Sequence, residues 1–360
     1  MKILILANND IGLYRFRKDL IEELLKDHKV YISLPYGPLV DNLKKMGCRF
    51  IDTPVDRRGL NPLTDLRLLS GYRIMLRKLR PDLVITYTIK PNIYGGAICR
   101  ILKIPYAVNI TGLGTIFEHN GPLQVLVTQM YRFALKKAKV VFVENSSISD
   151  ILLSKKITVK ERIHLLNGAG VNLNDFPCAP YPENDVFSFL FVGRIMREKG
   201  IEELFEATRR LNRDGLKCIL HLVGFMEEDY NADIQKGCDE GWLINHGLQE
   251  KVYPFIKAAD CMVLPSWHEG MANTNLEGAS AGRPVITSNI PGCQEAVIDG
   301  VTGFIVEKRN VDSLYDKMKQ MLLLSRSDRE KMGRSGHEHM ARVFDKKLVV
   351  KKTVDRLFDL

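Results

Sequence analysis

Phe187-Ser188-Phe189-Leu190-Phe191-Val192 is a six-residue run, apolar but for Ser188, that stops at Gly193-Arg194, and Glu198-Lys199-Gly200 then opens an amphipathic stretch from Ile201 to Leu211. A strand buried on both faces, a polar loop and a helix in that order predict a parallel sheet covered by helices. The alternation continues downstream, with strands expected at Cys218–Val223, Cys261–Leu264, Pro284–Ser288 and Phe304–Val306. Helices are expected near Val311–Leu324, Asp328–Arg342 and Lys346–Leu360. Upstream the chain reads as a strand Lys2–Ala7, a polar loop Asn8–Leu13 and a helix Tyr14–Lys26. Further strands follow at Lys29–Leu34, Arg49–Thr53, Leu83–Tyr87, Tyr106–Ile110 and Val140–Val143. Between the two series, Asn167–Asp185 shows neither period and carries Gly168, Gly170, Pro177, Pro180 and Pro182, as a linker would.

Two doubly wound α/β domains suit the 360 residues: 1–175, 176–345 and a closing helix 346–360. In such sheets ligands bind beyond the carboxyl ends of strands, so the loops after strands carry the chemistry. A composition of 45% hydrophobic and 26% charged residues excludes a disordered, collagenous or coiled-coil chain. Residues 1–180 hold 27 Lys and Arg against 15 Asp and Glu, a net +12, whereas residues 181–360 hold 25 against 28, a net −3. Only the first half is suited to a polyanion. The seven cysteines are scattered without a Cys-x-x-Cys pair, which points to a reducing cytosol rather than a disulfide framework or a zinc knuckle. No apolar run reaches the length of a signal-peptide core or a spanning helix, so any membrane contact is expected to be peripheral.

The first loop, Asn8-Asn9-Asp10-Ile11-Gly12-Leu13, has one glycine where a nicotinamide-binding fold needs three. The second half offers more. Arg194 and Lys199 flank a helix start, a combination that favours a diphosphate, although each alone is an ordinary surface charge. Glu269 follows the strand Cys261–Leu264, and Glu277 lies eight residues on, inside the expected helix Asn273–Ala281. A carboxylate accepts two hydrogen bonds from a vicinal diol, which suits Glu277 to a ribose. Backbone N–H groups from Met271 to Thr274 suit a pyrophosphate or sugar hydroxyls. Either glutamate alone is equally well placed for the helix dipole.

The series Gly193-Arg194, Glu198-Lys199-Gly200, Leu264-Pro265-Ser266, Glu269-x7-Glu277, Gly282-x-Pro284, Gly292, Glu295 and Gly303 resembles the C-terminal domain of the retaining, GT-B-fold glycosyltransferases of family four. Tyr14-Arg15-Phe16-Arg17, Lys90-Pro91-Asn92 and Thr111-Gly112-Leu113-Gly114 resemble the subgroup that extends lipid-linked sugars in bacterial capsule, O-antigen and glycan synthesis. The resemblance implies two Rossmann-like domains facing a cleft, with the last helix crossing back to the first domain. It implies a catalytic set of Arg194, Lys199 and Glu269, the cations stabilising charge on the departing diphosphate. Gly12, Gly193, Gly270, Met271, Ala272, Asn273, Thr274 and Glu277 would complete the donor site, with the loop Gly247–Val252 near the nucleobase. A UDP-sugar, most simply a UDP-N-acetylhexosamine, is the implied donor and a polyprenyl-diphosphate-linked saccharide the implied acceptor. The chain has no Asp-x-Asp, so no cofactor and no metal are expected.

Relatives carry a glycine pair in the first loop and a histidine after the fifth strand, where this chain has Asp10-Ile11-Gly12 and Thr111-Gly112. Asp10, Lys90 and Thr111 are therefore the acceptor-side candidates, Asp10 as a base and Lys90 as a phosphate partner. Apolar residues at 63, 66, 69, 72, 76 and 79 form a helical stripe amid Arg67, Arg73, Arg77, Lys78 and Arg80. With Arg57, Arg58 and Lys136, Lys137 and Lys139 this suits an anionic membrane surface, although such a stripe also suits ordinary packing on a sheet. Nucleic acid is not expected as a partner, because the basic residues lack interleaved aromatics. A cytoplasmic protein at the inner face of the cell membrane is the expectation. The rivals are a same-fold nucleotide-sugar epimerase and a non-catalytic lipid- or nucleic-acid-binding protein.

Overall fold

The computed structural model describes every residue except 57, 58, 60, 115, 116, 118–120 and 360. Arg57 and Arg58 of the basic surface thus lie outside the described residues. The chain divides into two compact units, Met1–Ala169 with Lys347–Leu360, and Gly170–Lys346.

The first unit is built on seven parallel strands: β1 (Lys2–Leu6), β2 (Lys29–Leu34), β3 (Arg49–Asp52), β4 (Leu83–Tyr87), β5 (Tyr106–Ile110), β6 (Val140–Val143) and β7 (Ile163–Leu165), in the order β3-β2-β1-β4-β5-β6-β7. Helices Pro62–Leu79, Gly96–Leu102, Pro122–Leu135 and Ser146–Ser154 cover one face. Asp10–Asp27, Val40–Lys45 and the closing helix Lys346–Phe358, through Val349 and Leu357, cover the other. The second unit has six parallel strands: β8 (Phe187–Val192), β9 (Cys218–Val223), β10 (Leu243–Asn245), β11 (Cys261–Leu264), β12 (Val285–Ser288) and β13 (Gly303–Val306), in the order β10-β9-β8-β11-β12-β13. Both sheets are the doubly wound type expected from sequence. Among the described residues no helix is long and apolar enough to cross a membrane.

Three expectations are corrected. The first helix starts at Asp10, not Tyr14, because the Asn9 side chain accepts the Gly12 N–H and caps the turn; polar residues at a helix start resemble a loop. The edge strands β7 and β10 were not foreseen, since three residues carry no periodicity. The stretch 167–185 is irregular but is not a free linker. Val171 N–H donates to Phe344 O (2.8 Å), Lys346 N–H donates to Val171 O (3.0 Å), and Tyr181 Oη donates to Asp260 O (2.7 Å). The compact units meet at 169/170, six residues before the expected boundary at 175/176.

Candidate functional site

Strand order reverses between β8 and β11, so the loops leaving these two strands run side by side at the carboxyl edge of the second sheet. Gly200 holds φ at 72°, and a Cβ there would lie 2.1 Å from Pro265 O, so only glycine lets the helix Ile201–Arg213 start against the β11 loop. Trp267 N–H donates to Glu198 O (2.9 Å), Ser266 Oγ donates to the same carbonyl (3.3 Å), and Trp267 Nε1 donates to Glu203 (3.1 Å). Knitted in this way, the two loops bring Lys199 Nζ into direct contact with Glu269 Oε1, the side chains being 15% and 14% exposed.

The segment after Glu269 rests on the β12 loop. Ala272 N–H donates to Gly292 O (2.6 Å), and Gly292 N–H donates to Glu295 (2.7 Å). Gly292, at φ 87°, allows the close approach: a Cβ would meet Glu269 O at 2.7 Å. Met271 and Ala272 are buried, and Asn273 opens the helix Asn273–Ser280; in its first turn the Asn273 and Asn275 N–H groups donate to Met271 O (3.0 Å) and Ala272 O (3.0 Å), so the Thr274 N–H is the donor this turn offers an anion. Thr274 lies in that turn and the half-buried Glu277 one turn further on. Asn275 Nδ2 donates to Thr287 Oγ1 (2.8 Å), which donates to Leu264 O (2.9 Å), fixing the helix to β12 and β11. Burial pushes the Cys293 thiol well up, and the nearby charges of Glu269 and Glu295 act in the same direction, with Lys199 opposing.

The structure thus joins Lys199, Glu269, Gly270 and the helix start at Asn273. Arg194, beyond Gly193, is half-exposed and faces Glu227 in the β9 loop at 3.5 Å. The Gly247–Val252 loop comes to the same edge, since Gly224 N–H donates to Gly247 O (2.8 Å). Beneath it His221 Nδ1 and His246 Nε2 lie 2.9 Å apart in nearly parallel rings. Burial holds both imidazoles below the usual histidine value, and the neighbouring His246 charge lowers that of His221 further. Folded-state values below the unfolded one mean that the pair's stabilisation is present above about pH 6.5 and is lost as pH falls through the folded values. The melting temperature of the second unit is expected to drop on acidification below that pH, and His246→Asn to flatten the drop. An unchanged pH profile in the variant contradicts this.

The first sheet reverses between β1 and β4, and the acceptor-side candidates follow those strands and β5. Asp10 is buried and accepts the Leu39 N–H (2.7 Å). Gly12 is in the first helical turn, not a loop, and its N–H is donated to Asn9 (2.6 Å). Lys90 Nζ donates to Asp65 (2.6 Å) and to Gly59 O (2.8 Å), and Tyr94 Oη donates to Asp65 (2.8 Å). Thr111 is half-buried at the end of β5. Asn92 is buried between β4 and β5, its Nδ2 donating to Asn109 O (2.8 Å), so the Lys90-Pro91-Asn92 motif is partly a staple for the sheet. Sequence reasoning passed over Thr88, at φ 71° with its buried hydroxyl unpartnered among the described residues, a strained conformation for a β-branched residue at a strand's carboxyl end. It also passed over the buried pair of Arg17 and Glu144, which sits under the Tyr87 ring. Neither has a local signal, because both depend on which strands are neighbours. His337 and His339 are half-buried and bond to the separate carbonyls of Ser280 (2.7 Å) and Glu295 (3.2 Å).

A family model described as glycosyl transferase 4-like matches residues 2–145, and one described as glycosyl transferases group 1 matches residues 187–323. The N,N'-diacetylbacillosaminyl-diphospho-undecaprenol alpha-1,3-N-acetylgalactosaminyltransferase of Campylobacter jejuni is 24% identical over 342 residues, covering 89% of each chain. The UDP-Gal:alpha-D-GlcNAc-diphosphoundecaprenol alpha-1,3-galactosyltransferase of Escherichia coli is 26% identical over 337 residues, covering 86% of each. The fold is similar to that of Anabaena HepE in complex with UDP and glucose, with a TM-score of 0.83 at 16% identity over 100% of both chains. It is also similar to a glycosyltransferase from Rickettsia africae, with a TM-score of 0.82 at 19% identity over 99% of this chain and 98% of that one. Two family models that between them span most of both units, joined to this fold, place the chain among the GT-B-fold glycosyltransferases of family four.

Proposed function

We propose that this glycosyltransferase moves a hexose, most simply an N-acetylhexosamine, from a UDP-sugar to a polyprenyl-diphosphate-linked saccharide at the inner face of the cell membrane. Transfer proceeds with retention of anomeric configuration and without a metal ion. The observation that carries this reading is the meeting of Lys199 and Glu269, seventy residues apart, beside the start of the helix Asn273–Ser280. A cation, a carboxylate and a helix start in one place match two parts of a nucleotide-diphosphate sugar: the cation and the helix start suit the diphosphate, and the carboxylate suits the sugar hydroxyls.

In this reading Lys199 and Arg194 stabilise negative charge on the leaving UDP, the part that an Asp-x-Asp-bound cation would otherwise play. Glu269 accepts hydrogen bonds from the donor sugar, Glu277 from the ribose hydroxyls, and Gly270 to Thr274 line the diphosphate. The acceptor oxygen bonds to the anomeric carbon on the face that UDP leaves, and its proton passes to the departing phosphate oxygen, which preserves the configuration. The sugar and lipid classes are supported by the names of the Campylobacter jejuni and Escherichia coli relatives, one an N-acetylgalactosaminyltransferase and the other a UDP-Gal transferase, both with diphospho-undecaprenol acceptors.

A panel of UDP-sugars against short-chain diphosphate-linked acceptors, read by mass spectrometry and product NMR, tests the proposal. UDP release is expected only with donor and acceptor together, with an α-linked product from an α-linked donor and undiminished turnover in EDTA. Loss of turnover in EDTA overturns the metal-free mechanism, and conversion of the nucleotide sugar without acceptor favours an epimerase.

A further inference from the structure

We infer that the outer surfaces of the helices Pro62–Leu79 and Pro122–Leu135 form a membrane-docking face, whose apolar tips enter the headgroup region of an anionic bilayer beside the acceptor loops. This identifies the surface that presents a lipid-linked acceptor, and so rests on that reading of the substrate.

Burial first sets these two helices apart. The helix Pro62–Leu79 buries Leu68, Tyr72 and Leu76 on the sheet, yet leaves Leu63 and Leu66 66% and 60% exposed. The expected stripe therefore packs only over its second half. In the helix Pro122–Leu135, Val125 and Leu126 are 58% and 57% exposed. The two helices flank the segment Pro91–Leu102 on one face of the sheet. Each follows a strand of a parallel sheet, so its first turns stand at the carboxyl edge, the edge from which the loops after β4 and β5 emerge. Lys90 ties these features together, bonding Asp65 between the two exposed leucines.

Charge identifies the occupant. Residues 61–80, 91–105 and 121–139 contain eleven Lys and Arg, of which Lys139 pairs with Asp359 (2.8 Å), and one acidic residue, Asp65. The Asp65 carboxylate is taken up by Lys90 and Tyr94. A surface of this kind gains about fivefold in partition for each cation brought near acidic lipid. The exposed leucines and valine add hydrocarbon contact that a nucleic acid does not offer, and the one exposed aromatic of these helices, Phe133, is capped by Arg100 at 4.1 Å.

Co-flotation with vesicles tests the face. The full chain is expected to float with phosphatidylglycerol–phosphatidylcholine vesicles and not with phosphatidylcholine alone. The double variant Val125→Asp, Leu126→Asp should lower partition by at least about tenfold and lose turnover of a long-chain acceptor embedded in vesicles, while keeping turnover of the short-chain soluble acceptor. Arg73→Glu with Arg77→Glu should weaken the dependence on phosphatidylglycerol. Leu323→Asp, at an exposed leucine of the second unit, should float as the unaltered protein does. Undiminished flotation of the Val125, Leu126 variant overturns the inference, as does retention of the full chain on DNA or RNA without vesicle binding. Normal flotation without turnover of any diphosphate-linked acceptor upholds the docking face and overturns the acceptor reading.

Discussion

Replacing Lys199 by alanine is expected to lower kcat by about two to three orders of magnitude, the loss seen when one preorganised donor to a developing negative charge is removed. The expectation follows from where the ammonium is held. Lys199 ends the short turn Arg197–Lys199, Gly200 locks that turn against Pro265, and Glu269 receives the ammonium from the neighbouring loop. A charge fixed before the substrate arrives needs no reorganisation when the glycosidic bond breaks. Glu269→Gln should lower turnover as well, with a larger rise in KM for the donor sugar.

A structural role alone predicts something different, and a double-mutant cycle separates the two. The pair is largely buried, so removing either partner leaves an uncompensated charge and should cost stability, whereas removing both should restore much of it. If Lys199 and Glu269 serve catalysis, the double variant regains melting temperature but not turnover. Turnover that returns with stability would sink the site assignment.

Arg283→Met is expected to destabilise the second unit by roughly 4 kcal/mol, a large effect tied to a named cause, the loss of a buried hydrogen-bond network. Arg283 is fully buried, and among the described residues its hydrogen bonds go to backbone carbonyls. Its Nη1 donates to the carbonyls of Ala179, Ala281 and Gly282 (3.2 Å each), and its Nη2 to Pro180 O (2.8 Å) and Lys257 O (2.5 Å). The guanidinium also lies 5.6 Å from the Tyr181 ring centroid. Desolvation lowers its pKa from the ordinary arginine value, yet a guanidinium stays charged, so burial is offset by carbonyl dipoles.

Methionine fills much of the volume but leaves those carbonyls with one donor fewer in a dry interior. A shift of 4 kcal/mol corresponds to a melting temperature lower by roughly 10 °C for a unit of this size. Arg283→Lys should fall between the two, because an ammonium cannot span both carbonyl groups. Differential scanning calorimetry decides the matter: a shift of a degree or two in Arg283→Met would show that the stretch 177–181 is held by other contacts.

Much of the fold was legible because parallel strands buried on both faces leave continuous apolar runs. Phe187–Val192, Leu83–Tyr87 and Val140–Val143 have the same bounds in sequence and structure. Where burial is partial or brief the signal fails. β7 and β10 are three-residue edge strands, and Asp10 to Gly12 look like loop residues until Asn9 is seen to cap them. Arg283 was legible only as the middle of Gly-x-Pro, since a charged residue in sequence defaults to the surface.

The sequence by itself determined the two α/β units, the uneven distribution of charge and the residue types of the candidate site, because these depend on local pattern and composition. It could not decide which loops are neighbours. That depends on strand order, and the reversal between β8 and β11 is what sets Lys199 on Glu269 while leaving Arg194 turned toward Glu227. The same holds for the apolar stripe of the helix Pro62–Leu79, half of which packs on the sheet while Leu63 and Leu66 stay outside. Periodicity shows that a helix has an apolar side, but only the packed neighbours decide how much of that side they cover.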